Sequence, residues 1–556
     1  MKWLKWIDNN ILKILLGLYV FFIPLFPKFP FQFVTYTYIS VRLDDFFVAF
    51  IAAIFFLQII RRKIKLKDLP FLKIFIAFWI VVFLSMLSSF YLTKTVDYHF
   101  VGFLNTARRV QYMVFFFIAY ASIKSVRDFT FLLYSLIASN FLVIMYGLGQ
   151  RFFDFPAVST MNPEFAKGRI LFLTPEARLS STFAGHYDLA AFLVFLFPIL
   201  WGVYFYISNK KKISITNNER IIVLISALAP FILTAYLFTK SVYQGNLVQT
   251  MLVAAQAPFN QIIVITMAIA ILAFILFFDV FQRATLFVVN LISILIIVFT
   301  ASRTSSIAYI ISTSAFLAYF RKFKHLVLIV ILSLGLTIAD KDLFQRWFST
   351  LQIKQIILNE KTGQQAVVQR IQSDKLPAGT SFVKLRDSRD TLESSKLKLD
   401  LANKATMSGQ LASAEAYETV TAVAADISIA TRFEASWPRA IRAFLQNPLL
   451  GTGPASITES SDGDYFRWLG ETGGIGFALF VAILGLIAKE IFQLRHKVQN
   501  NSKMLVVGFI FGLFGLMINA LLIDIFEASK LAYIFWLSAG IFIGLLHLDK
   551  KELEKL

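Results

Sequence analysis

Long apolar runs alternate with short polar gaps along most of the chain. Fourteen runs stand out, near 11–27, 43–60, 70–88, 101–121, 129–149, 186–208, 220–239, 260–279, 284–300, 305–320, 325–339, 471–489, 504–523 and 530–547. At about 1.5 Å per residue, about twenty residues cross the hydrocarbon core of a bilayer as a helix. Several runs are shorter, so the pattern predicts an all-α polytopic membrane protein with twelve to fourteen crossings. Pro198, Pro230 and Gly335 fall inside runs, where membrane helices tolerate them.

One stretch breaks the rhythm. Residues 340–470 hold no run long enough to span, and the chain divides accordingly: eleven helices in 1–339, a helical loop over 340–470, three helices in 471–548 and a tail over 549–556. Within the loop, Phe344, Trp347, Phe348, Leu351 and Ile356 alternate with charges, which predicts a surface helix over 341–361. Residues 362–384, with Pro377 and Gly379, read as linker. Residues 385–430, charged and then rich in Ala, Ser and Thr, read as one or two exposed helices. Phe433, Trp437, Ile441 and Leu445 recur at helical spacing over 432–446, and on an ideal helix Arg432 and Arg439 share a face. Pro448 ends that helix, and Gly451 and Gly453 permit a tight turn.

Charge fixes an orientation. The 556 residues carry 54 Lys and Arg against 34 Asp and Glu, a formal net charge of +20. Many of the cations sit in alternate gaps, at 61–67, 210–212, 321–324 and 489–503, while 28–42, 89–100, 240–259 and 524–529 hold few. The positive-inside rule then places both termini in the cytoplasm, in a multi-pass plasma (inner) membrane protein, and places 150–185 and 340–470 outside. Basic residues used this way mark topology, and no nucleic-acid-binding pattern accompanies them. No small-residue cleavage pattern follows Lys2 and Lys5, so the first run is expected to remain as a span. Cysteine is absent, which excludes disulfides and thiol chemistry.

Polar residues suited to chemistry gather at the outward ends of the runs. Arg178 and His186 flank the start of the sixth, as a cleft wall or as an interfacial turn. Arg303 opens the tenth, as an anion ligand or as a helix-end anchor. Arg432, Arg439 and Trp437 lie before the twelfth, followed by Asp464, Tyr465, Trp468 and Glu471. Each has a structural reading too: Arg432 pairing with Glu434, Asp464 in a turn beside Gly463, Glu471 at a helix N-terminus, Trp437 at the membrane interface.

Four stretches resemble the O-antigen ligase and O-antigen polymerase family. They are Arg178-Leu179-Ser180-Ser181-Thr182-Phe183, Thr300-Ala301-Ser302-Arg303-Thr304-Ser305-Ser306, the segment 432–437 with Asn447-Pro448-Leu449-Leu450-Gly451-Thr452-Gly453-Pro454, and Asp464-Tyr465-Phe466 followed by Gly470-Glu471-Thr472-Gly473-Gly474-Ile475-Gly476. The resemblance implies transfer, with inversion, of a glycan from a polyprenyl-diphosphate carrier to an extracytoplasmic acceptor, without metal, cofactor or nucleotide sugar. It also implies that Arg303 and Arg432 hold the diphosphate. Where the family often has a His, this chain has Asp464, with Asp462 close by.

Those residue types suit that chemistry. A guanidinium stays charged and binds phosphate oxygens in a bidentate fork. A carboxylate in reach of a sugar hydroxyl takes its proton during attack, the role expected of Asp464 with Glu471 as alternative. Tyr465, Trp468 and Trp437 are expected to stack on sugars or anchor the loop. The acceptor is a glycan, a lipid-linked glycan or a protein hydroxyl. A transporter or flippase of lipid-linked glycans, a protein O-glycosyltransferase of the same fold and an envelope scaffold remain as alternatives.

Overall fold

The computed structural model describes residues 2–33, 40–160, 165–174, 177–207, 212–243, 247–339, 344, 354–359, 380–384, 419–426, 431–457 and 462–556. The chain is largely helical. The helices are α1 (Lys2–Leu25), α2 (Leu43–Ile60), α3 (Leu72–Tyr91), α4 (His99–Ser122), α5 (Val126–Phe152), α6 (His186–Tyr206), α7 (Asn217–Val242), α8 (Leu247–Gln256), α9 (Pro258–Thr300), α10 (Arg303–Tyr319), α11 (Phe323–Ala339), α12 (Trp437–Gln446), α13 (Asp464–Leu494), α14 (Asn500–Ala520), α15 (Ser529–Leu546) and α16 (Lys550–Leu553). Among the described residues ten helices are long and apolar enough to cross a membrane. All fourteen expected runs fall on helix to within a few residues. The difference lies in α4, which carries Arg108 and Arg109, in α10 and α11 at 17 residues each, and in α9.

Helix α9 is 43 residues long, about 65 Å if straight. It is not straight: Phe281 has φ −119° and ψ 44°. Its first half runs down α5, with the Phe274 ring tilted against Phe141 at 5.1 Å and Phe278 edge-on to Tyr134 at 5.3 Å. Its second half runs back up, so that Ile296 lies beside Gly147. The chain therefore reverses near Phe281, where Gln282 bonds both backbone groups of Ile213 and Arg283 lies over Tyr204 at 4.7 Å.

Backbones approach most closely in two helix pairs. A Cβ on Gly508 would lie 2.6 Å from the Pro198 carbonyl oxygen, and one on Gly512 2.4 Å from that of Phe195. Only hydrogen at these positions lets α14 lie against α6. Gly540 brings α15 to α4 in the same way, with Phe116 O 2.2 Å from where a Cβ would stand.

The bundle has two polar ends. At one, Lys13 meets Asp128 at 2.9 Å and Glu219 at 3.5 Å, Arg61 meets Asp8 at 2.6 Å and Arg220 meets Asp279 at 2.9 Å. The other gathers the C-termini of α1, α3 and α14 and the starts of α6, α10, α13 and α15, and it holds the site.

The loop departs from its expected helices. Lys354–Asn359, Thr380–Lys384 and Thr419–Asp426 form an antiparallel sheet, β5, β6 and β7, with β7 central. Short strands Pro30–Phe33 (β1) with Ser40–Arg42 (β2), and Ala157–Val158 (β3) with Ile170–Leu171 (β4), make two further ribbons. Ile356, Ile357, Thr419, Val420, Thr421 and Val423 are β-branched and favour the pleated backbone over a helix. The remainder of the expected helices, in 341–353 and 385–418, lies outside the described residues except Phe344. The amphipathic helix expected over 432–446 is present as α12, preceded by a π-helical turn, Thr431–Ser436. Because Arg432 sits in that wider turn, the shared face expected for Arg432 and Arg439 does not follow from their spacing.

Candidate functional site

The turn over 519–527, between α14 and α15, is where distant segments meet. Ser305, on the first turn of α10, donates to Asn519 Oδ1 at 3.1 Å. Arg432 donates through Nε and Nη2 to the Leu522 carbonyl, at 3.2 and 2.9 Å. Gly463 N–H donates to Asp524 Oδ1 at 3.0 Å, and Arg467 pairs with the other oxygen of that carboxylate at 3.0 Å. Asp464 accepts from the backbone of Ile525 at 2.6 Å and of Phe526 at 3.1 Å. Arg109 of α4 pairs with Glu527 at 2.7 Å.

A second seam joins the glycine loop to α13. Gly473 interrupts that helix with φ 66° and ψ −174°, a conformation essentially restricted to glycine. The freed backbone groups are taken up by residues 448–453. Gly474 N–H donates to Pro448 O at 2.8 Å, Thr452 N–H to Gly470 O at 3.0 Å and Gly453 N–H to Glu471 O at 2.9 Å. Ser85 of α3 adds a bond to Glu471 O at 2.6 Å. Gly451 and Gly453 have φ of 69° and 93°, as the tight turn expected there requires.

The predicted residues sort by accessibility. Asp464 has no exposed surface and uses its carboxylate to hold the 525–526 backbone. It lacks the free approach that a base for an incoming hydroxyl needs. Glu471 is buried against Arg109, with which it forms an ion pair. Trp468 is 2% exposed, stacked on Phe480 at 4.5 Å and capped by the Arg109 guanidinium at 4.3 Å, so it offers no face to a sugar. Tyr465 donates to Met517 O at 2.7 Å. Trp437 stacks on Phe466 at 4.4 Å and donates to Asp462 O at 3.0 Å.

Among the arginines, Arg303, Arg439 and Arg178 lie nearer the surface than Arg432. Arg303 is half-buried at the start of α10, two residues from the Ser305 contact. Arg432 is buried but reaches Asp462, 3.3 Å away, whose side chain is 42% exposed. Arg439 is half-buried on α12. Arg178 meets His186 Nε2 at 2.9 Å and Tyr187 Oη at 3.2 Å, and Leu179 N–H bonds Phe299 O at 3.0 Å. That bond ties the Arg178 segment to the end of α9, a few residues before Arg303.

Sequence reasoning gave no role to Arg109, Arg467, Asp524 or Glu527, and treated Asp462 only as a neighbour of Asp464. The available signal was the acidic pair Asp524 and Glu527 in a hairpin between two apolar runs. Burial pushes the Asp524 carboxyl up to about 7, against the pull of Arg467. Burial also raises Asp462, against Arg432 and Arg467. Among the described residues no group of three or more His, Cys, Asp or Glu side chains is placed to hold a metal ion. Chemically, the arrangement offers guanidinium groups for an anion and one accessible carboxylate beside them.

No protein-family model, curated protein or solved structure matches the chain.

Proposed function

We propose that this multi-span membrane protein is a glycosyltransferase of the O-antigen ligase or polymerase type. It moves a glycan from a polyprenyl-diphosphate carrier to an acceptor hydroxyl at the extracytoplasmic face of the plasma membrane. The observation that carries this reading is the meeting of the α10 start, Arg432 and Asp462 at one end of the bundle, through the turn over 519–527.

In this reading the acceptor oxygen attacks the anomeric carbon. The bond from that carbon to the phosphate oxygen breaks, and the diphosphate leaves on its lipid. Arg303 and Arg432 hold the departing charge, which well-aimed donors stabilise by roughly 3–4 kcal/mol each. Asp462, rather than Asp464, takes the hydroxyl proton, because it is the exposed carboxylate of the two. Its raised pKa suits a base. Arg432 now pairs with Asp462, so a diphosphate that draws Arg432 away frees the carboxylate at the moment the donor is seated.

The membrane topology of this reading has fourteen crossings. Helix α9 crosses twice, and α4, α10 and α11 cross packed among other helices. Both termini are cytoplasmic, and Arg303 and Asp462 are outside. A transporter of lipid-linked glycans draws on a different observation, the buried Arg109–Glu471–Glu527 cluster, since charges buried in membrane proteins often mark transport paths.

The test is purified protein in vesicles with a polyprenyl-diphosphate oligosaccharide and candidate acceptors. Product glycan is expected from the wild type and, for Arg303→Ala, a loss of roughly 10²–10³-fold in a correctly inserted protein. Undiminished transfer by Arg303→Ala would remove that residue from the site. Movement of the intact donor across the bilayer without transfer would favour the transporter.

A further inference from the structure

Consecutive residues of α4 face two different places. Arg109 turns inward to Glu471 and Glu527, whereas Arg108 lines a small pocket of about 190 Å³ where Ser40, Asp45, Asn105 and Gln111 stand among Val41, Leu104 and Ala107. This pocket adjoins an apolar trough of about 890 Å³ between α2, α3 and α4, and Ala107 and Gln111 line both.

The trough is made by residue size. Ala49, Ala52 and Ala53 fall on one face of α2 at helical spacing and leave a channel. Trp79 and Phe83 of α3 and Phe103 of α4 form its walls. Phe56, Ile80 and Phe83 are 52%, 53% and 46% exposed, so the trough opens sideways onto the apolar exterior. Its lining is almost wholly hydrocarbon, with polar groups concentrated at the end near Arg108.

Three observations mark this region as built for a polar head. Thr106 lines the trough, is 6% exposed, and its Oγ1 has no hydrogen-bond partner among the described residues. The guanidinium of Arg108 is only loosely matched: Asp45 lies 4.0 Å away and the Ser40 carbonyl 3.5 Å. Arg42 stands on the preceding strand, and its Nε is buried without a partner among the described residues. A cation not fully matched, next to an apolar channel that carries an unpaired hydroxyl, complements a lipid with one long chain and an anionic head.

We propose that the trough between α2, α3 and α4 seats the hydrocarbon chain of a polyprenyl phosphate or diphosphate, with its phosphate against Arg108. The proposal rests on the transferase reading for the identity of the head group. One channel with one polar end fits a single-chain carrier better than a two-chain glycerophospholipid. The next residue of α4, Arg109, pairs with Glu527 of the turn over 519–527, so α4 joins the trough to that turn.

A benzophenone-bearing polyprenyl phosphate in nanodiscs of phosphatidylethanolamine and phosphatidylglycerol tests this, with peptide mapping after irradiation. Labelling is expected on 49–56 and 103–114, displaced by excess polyprenyl phosphate and not by phosphatidylglycerol. Arg108→Gln should weaken binding of the phosphate roughly tenfold and leave labelling by the uncharged polyprenol unchanged. Ala53→Trp should fill the trough and suppress both, while Ile269→Trp, on an exposed face of α9, should suppress neither. Even labelling along all lipid-facing helices, or equal displacement by phosphatidylglycerol, would overturn the proposal. Labelled protein that transfers nothing would sink the transferase reading and leave a lipid-phosphate site; active protein without labelling here would sink this inference alone.

Discussion

Replacing Arg109 by Met tests the polar centre of the fold. The Arg109 side chain is 2% exposed and that of its partner Glu471 is 3%. Its Nε meets Glu527 at 2.7 Å and its face covers Trp468 at 4.3 Å. Methionine keeps much of the volume and removes the charge. Glu471 is then buried without its cation, which costs about 3–5 kcal/mol, and the lost cation–π contact adds up to about 2. Glu471→Gln alone leaves Arg109 with Glu527 and should cost less. The double variant, with neither charge of that pair, should recover part of the loss. A double-mutant cycle on reversible unfolding in mixed micelles measures the coupling directly. Single variants that each cost under about 0.5 kcal/mol, or that simply add, would refute the view that this pair anchors α4 to α13.

Three further outcomes are expected. Gly473→Ala should destabilise strongly, because its φ is positive and a Cβ would lie 2.3 Å from Leu449 O, whereas Gly485→Ala in the same helix, with open space around it, should be tolerated; thermal aggregation in detergent compares them. Asp464→Ala should lower stability by roughly 2–4 kcal/mol through two lost buried hydrogen bonds, while Asp462→Asn should leave the fold intact and slow the proposed transfer, and the reverse pattern would exchange their roles. Because the folded pKa of Asp524 lies above its unfolded value, its contribution is present at low pH and is lost as pH rises through about 7; Asp524→Asn should flatten the unfolding profile there.

Much of the helical framework was legible because its signal is local. An apolar run in lipid must close its own hydrogen bonds, so helix position follows from composition. Even the reversal in α9 shows, since Asp279, Gln282 and Arg283 interrupt the apolar run at the bend. Glycines 451 and 453 announced their turn. The site partners were not legible, because pairing across the fold leaves no pattern in the chain: Arg109 lies 362 residues from Glu471 and 418 from Glu527. The bonds that bury Asp464 were not legible for the same reason, as nothing nearby in sequence shows that its oxygens accept from a backbone 61 residues away. In the 340–470 loop, alanine content outweighed the β-branched residues of Thr419–Asp426, which pair as a strand.

In the fourteen-crossing topology proposed above, the bend at Phe281 decides the parity of the chain. Every segment after it would then reach its compartment only because Pro258–Thr300 inserts as a hairpin and not as one oblique rod. Substitutions that let the two halves continue straight would invert all that follows, carrying Arg303 and Asp462 to the opposite compartment while leaving each later helix intact. Such a protein would be well folded in its parts and inert as a whole, and a glycosylation or cysteine-accessibility reporter placed after Tyr319 would register the flip.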